Sequence, residues 1–258
     1  MIPDHQAPSM PTLLPYYSRP PFRYRDCPIL VVTFRTMAKV LRRLVPQPLE
    51  PNPDDLMVLV IGRQQMDRLG SYHEAILGVP CTLGEQTGNY AVVLYVDQTR
   101  PVVAGREIYG WPKKDADLVL HADATRASAR AVRNGVEIIR ADVGIAREAT
   151  PGDLALDPTW FNLKLIPSVT DGAPPDVLQL TATTLANVSL REAGAGPARL
   201  GLADSIADPL ASLMPVRDVV GGVFLRLSFD LLDGVVVHDY LSGDVSTREA
   251  PEPVGAVS

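Results

Sequence analysis

The chain has 258 residues, 46% of them hydrophobic and 21% charged, with a net charge of −6. That length suits one large domain or two small ones and can bury a substantial core. The mildly acidic balance argues against nucleic acid or an anionic membrane as a partner. Arginines gather only in short groups, at 19, 23 and 25 and at 35, 42 and 43, and read as solvated or structural. Two cysteines, Cys27 and Cys81, are too few for a disulfide framework. The four histidines, His5, His73, His121 and His238, lack zinc spacing, so no metal is expected. No leader pattern opens the chain and no apolar run approaches the roughly 18 residues of a membrane span. A soluble, cytoplasmic protein is expected.

In chain order, residues 1–22 are rich in proline and read as an irregular arm, ordered by packing or by a partner subunit. The apolar run Cys27 to Phe34 predicts a buried strand. Thr36 is positioned to cap a short helix through Val45, which Pro46 and Pro48 stop. Leu56 to Ile61 and Tyr90 to Val96 predict strands. Ala127 to Val143 reads as two paired strands around a turn at Asn134-Gly135. Pro151 to Pro158 is a loop, and Phe161 to Pro167 and Val177 to Val188 are extended. Gly194, Gly196 and Pro197 predict a turn, and Pro209 to Pro215 a short helix or loop. Val219 to Leu232 and Val235 to Leu241 are strands around Asp233-Gly234. The tail, 243–258, is expected to be mobile. Many short strands and few helical patterns predict a mainly β (α+β) fold. The expected form is an antiparallel cone-like β-barrel with a few short helices, a single domain over residues 23–242.

Chemistry concentrates in Gly105-Arg106-Glu107-Ile108-Tyr109-Gly110-Trp111-Pro112-Lys113-Lys114. A lysine amine attacks a ketone only when neutral, and a free lysine is almost fully protonated at neutral pH. Desolvation and a nearby positive charge both favour the neutral form. Tyr109, Trp111 and Pro112 offer Lys113 the first, and Lys114 the second. A Lys-Lys pair alone is usually solvated surface. If the segment is extended, Lys114 faces away from Lys113 and desolvation does most of the work.

The Gly-Arg-Glu run followed by aromatic-Pro-Lys-Lys resembles the acetoacetate decarboxylase family. Other segments agree in order: Phe34-Arg35-Thr36, Val45-Pro46-Gln47-Pro48-Leu49-Glu50, Gly70-Ser71-Tyr72-His73-Glu74, Leu163-Lys164-Leu165-Ile166-Pro167, Gly196-Pro197-Ala198-Arg199-Leu200 and Asp239-Tyr240-Leu241. The resemblance implies a β-barrel or cone, a homo-oligomer, no cofactor, and a keto-acid substrate. It implies Lys113 as the Schiff-base nucleophile, Lys114 as its electrostatic neighbour, and Glu74 as an active-site carboxylate that orients substrate or carries a proton. Trp111 is placed in the substrate-binding set. Ungapped, a family arginine falls on Cys27, a second glutamate on Leu59, and a residue that is tryptophan in some relatives on Gly194. These departures predict a wider, less polar pocket, suited to a larger keto-acid or a polyfunctional ketone. If their segments are extended, Arg25 shares a face with Cys27 and Arg63 with Leu59, which makes either arginine a candidate substitute for the missing charge, against the ordinary reading of each as a surface arginine.

The expected activity is decarboxylation of a β-keto acid through a Lys113 imine and enamine. The alternatives are an aldolase-dehydratase or cyclase on a larger keto-acid using the same lysine, and a non-catalytic barrel that binds an apolar ligand. Release of carbon dioxide separates the first two.

Overall fold

The structure, a computed structural model, describes residues 7–67, 70–154 and 157–242. The expected tail, 243–258, and the first six residues of the arm lie outside them. Residues 7–21 carry no strand or helix. Tyr17 is buried and its hydroxyl donates to Glu107 Oε2 at 2.6 Å.

Fifteen strands follow: β1 (Phe22–Arg35), β2 (Glu50–Pro51), β3 (Leu56–Met66), β4 (Gly70–Leu83), β5 (Gln86–Val96), β6 (Lys113–Asp115), β7 (Asp117–Ala122), β8 (Arg126–Arg133), β9 (Val136–Gly144), β10 (Arg147–Glu148), β11 (Thr159–Ile166), β12 (Val177–Gly196), β13 (Ala198–Leu202), β14 (Asp218–Leu231) and β15 (Val235–Asp239). Three short helices, α1 (Ala38–Leu44), α2 (Thr99–Ala104) and α3 (Leu210–Leu213), complete the expected mainly β, single-domain architecture. Among the described residues no helix is long and apolar enough to cross a membrane.

The large sheet runs β2-β4-β3-β1-β14-β12-β11-β5-β6. Because β5 also pairs with β4, the sheet curls back on itself into a cone-like form. Pairing is antiparallel except where β5 meets β11 and β6. A smaller sheet, β13-β9-β8-β7, covers part of the outside.

This arrangement explains the continuous apolar runs. A strand buried on both faces needs no polar alternation. Along β1, Leu30, Val32 and Phe34 join an outer core with Ile138, Ile139 and Val143 of the small sheet. Ile29 and Val31 join an inner core with Trp111, Trp160 and Phe229. The Asn134-Gly135 turn links β8 and β9 as expected, with both residues at positive φ (50° and 78°).

Two expectations need correction. Thr36 does not cap α1; Met37 occupies the cap position without a side-chain bond, while the Thr36 N–H donates to Asp55 O. Gly194 and Gly196 are not in a turn but within β12. A Cβ on Gly196 would lie 2.0 Å from Gly144 O, so the glycine serves close backbone approach. β14 and β15 flank Asp233-Gly234 as expected, and β15 pairs with β12. Strand β4, unforeseen as a strand, begins with the polar run Ser71-Tyr72-His73-Glu74 because part of its inner face lines a cavity.

Candidate active site

The Lys-Lys segment is held by its own backbone. After α2 the chain makes a π-helical turn over Gly105–Tyr109, a distortion often found at functional sites. Trp111 N–H then donates to Gly105 O, and Leu94 N–H to Pro112 O. β6 pairs in parallel with the end of β5, Leu94 opposite Lys113 and Tyr95 opposite Lys114.

Alternation along β6 sends the two lysines to opposite faces. Lys113 points inward, with its side chain 8% exposed. Lys114 points outward with Tyr95, and both meet the buried carboxylate of Asp208. Its Oδ1 accepts from Lys114 Nζ at 2.5 Å and from Tyr95 Oη at 2.8 Å, while Oδ2 accepts from Arg133 Nε at 2.7 Å. Burial raises the Asp208 pKa, but the donors Lys114, Tyr95 and Arg133 outweigh it and hold the carboxyl below its ordinary range. Lys114 is therefore an ion-pair partner of Asp208, facing away from Lys113.

Inside the cone, Lys113 Nζ lies 3.1 Å from Glu74 Oε2 and 5.5 Å from the centre of the Tyr72 ring. Glu74 Oε1 accepts from Gln64 Nε2 at 2.9 Å. The hydroxyls of Tyr24 and Tyr72 are 3.2 Å apart. Burial first, then the Glu74 charge, pushes both phenol pKa values up, so they stay protonated. These groups face a cavity of about 100 Å³. Its remaining wall is hydrocarbon and indole: Trp111 and Trp160, tilted with centroids 5.7 Å apart, and Leu225, Leu227, Phe229 and Leu231 of β14 among others.

Of the residues singled out from sequence, Lys113, Glu74 and Trp111 meet at this cavity. Cys27 is buried in the same inner core, its Sγ accepting from Gln65 N–H; burial pushes its thiol up to about 11. The others are elsewhere. Arg25 pairs with Asp230 on the outside, because a bulge at Asp26 (φ 49°) breaks the expected alternation with Cys27. Leu59 sits in the outer core, and Arg63 is exposed. Gly194 lies against Ile145, where a Cβ would approach to 2.5 Å. No arginine is among the described residues lining the cavity.

Sequence reasoning missed Gln64, Tyr24, Tyr72 and Trp160. The usable signal was spacing: Tyr72 and Glu74 share one face of a strand, and Gln64 pairs with Tyr72 across β3 and β4.

A family profile described as acetoacetate decarboxylase matches residues 6–241. Acetoacetate decarboxylase 2 of Mesorhizobium japonicum is 34% identical over 238 residues, covering 90% of this chain and 89% of that protein. A solved chain described as "Structural Studies of Acetoacetate Decarboxylase" superposes with a TM-score of 0.83 at 26% identity, covering 90% of this chain and 96% of its own. The acetoacetate decarboxylase of Legionella pneumophila gives a TM-score of 0.82 at 25% identity, covering 88% and 91%. Sequence and fold agree over nearly the whole length: the chain belongs to the acetoacetate decarboxylase family, and is an enzyme of the carbon–carbon lyase class.

Proposed function

We propose that the protein decarboxylates a β-keto acid through an imine on Lys113, without a cofactor. The observation that carries this reading is one buried amine, 3.1 Å from a single carboxylate, facing an otherwise mostly apolar cavity. Glu74 accepts a proton from the Lys113 ammonium and frees its lone pair. The amine attacks the ketone carbon, water leaves, and a protonated imine forms. The bond to the substrate carboxylate then breaks, its electron pair moving into the imine as carbon dioxide departs. The resulting enamine takes a proton at carbon, and water releases the ketone and the amine.

The other groups support these steps. Gln64 holds one oxygen of Glu74, leaving the other for Lys113. The apolar walls disfavour a localised carboxylate relative to a transition state in which that charge disperses toward the imine. Cys27 packs in the inner core beside the cavity and is no nucleophile, since its thiol stays protonated at neutral pH. Lys114 acts indirectly, by fixing β6.

Cyanoborohydride trapping with acetoacetate, and in parallel with pyruvate, tests the imine. Peptide mass spectrometry should find a reduced adduct on Lys113, absent from Lys113→Ala. Preferential trapping of acetoacetate with release of carbon dioxide supports decarboxylation. Trapping of pyruvate with no gas released would favour aldol chemistry instead.

A further inference from the structure

The cavity is divided by chemistry. Its polar groups lie together on β1, β3, β4 and β6: Tyr24, Gln64, Tyr72, Glu74 and Lys113. The wall from β11, β12 and β14 is Trp160, Leu185, Leu225, Leu227, Phe229 and Leu231, without a charged or amide group. A substrate ketone bound at Lys113 must point one of its two arms toward that wall.

The wall would leave a second carboxylate or a row of hydroxyls desolvated and without partners, a heavy cost in a buried site. An alkyl or aryl arm would replace water there at no such cost. Size agrees. About 100 Å³ is room for roughly three waters at the liquid share of about 30 Å³ each. A methyl arm leaves part of that space unfilled.

Resting on the imine reading above, we infer that the substrate is a 3-oxo acid with an uncharged apolar arm longer than methyl, and that the β12–β14 wall selects it. Each methylene buried along the wall should raise kcat/KM about fourfold.

The test is carbon dioxide release, above the spontaneous rate, from acetoacetate, 3-oxohexanoate, benzoylacetate and 3-oxoadipate. We expect 3-oxohexanoate to exceed acetoacetate at least tenfold in kcat/KM, and 3-oxoadipate to fall at least tenfold below 3-oxohexanoate. Leu185 and Leu227 are only partly buried, so Leu227→Arg can extend to solvent without unfolding the sheet. It should narrow the gap between 3-oxoadipate and 3-oxohexanoate at least tenfold. Acetoacetate as the best substrate, or a 3-oxoadipate rate equal to that of 3-oxohexanoate, overturns the inference while leaving the imine intact.

If no acid releases carbon dioxide, reductive trapping of acetone, 2-pentanone and acetophenone on Lys113 reads the wall independently of decarboxylation. Preferred capture of the two larger ketones upholds it, and equal capture overturns it. The absence of any adduct sinks the imine reading and this inference together.

Discussion

Gly105 shows how one missing atom makes room for a buried amine. A Cβ there would lie 2.8 Å from both Cδ and Cε of Lys113 and 3.3 Å from Nζ. The first residue of the Gly-Arg-Glu run thus vacates the space through which the lysine reaches the cavity. Arg106, the second, donates to Lys113 O, and Glu107, the third, accepts from Tyr17. Gly105→Ala should push the amine off its line to Glu74. A displacement near 1 Å costs on the order of a hundredfold in rate, so kcat/KM should fall by about that factor. Slower cyanoborohydride trapping on Lys113, with the melting temperature little changed, would locate the loss at the amine. Full activity in the variant would mean that Lys113 has room the structure does not show.

At the scale of elements, β6 is fixed from both sides. Its inward residue meets Glu74 on β4, and its outward residue meets Asp208, which also holds Arg133 at the end of β8. Asp208→Asn should therefore loosen β6 against the small sheet and destabilise the fold. Removing one partner of a buried ionic cluster costs about 3 kcal/mol. The sign with pH follows from the depressed carboxyl. Its stabilisation is fully present above the unfolded value near 3.9 and is lost as pH falls through the lower folded value. Denaturant melts should thus show the full gap between wild type and Asp208→Asn at pH 7, closing in strong acid. A gap independent of pH would mean that packing, not charge, is what Asp208 supplies. This clamp was not legible in the sequence. Lys114 and its partner are 94 residues apart, and no local pattern joins them. What was legible is the alternation that turns Lys114 outward once its segment is extended. The same rule misled at Arg25, because the bulge at Asp26 depends on pairing with two other strands.

For the whole molecule, the decisive feature is one sheet carrying two cores. Burial on both faces made β1, β3 and β5 readable as apolar runs, yet it hid which face each side chain takes. Adjacent residues can therefore belong to different functions. Leu59 is buried in the outer core against the small sheet, while Val60 lines the cavity. Leu59→Ala should leave a void where no substrate goes and cost about 3 kcal/mol, lowering Tm by roughly 10 °C. Its kcat/KM per folded molecule should stay within about twofold of wild type, since no cavity wall moves. Val60→Phe should behave in the opposite way. The added ring projects into space that is already open, so the overpacking cost stays near 1–3 kcal/mol, but the longer 3-oxo acids lose their room. Comparing the two variants by melting curves and by carbon dioxide release separates the faces. If Leu59→Ala instead reordered the substrates, the outer core would be coupled to the cavity, and the cone would not act as the rigid partition that the alternation of β3 makes it.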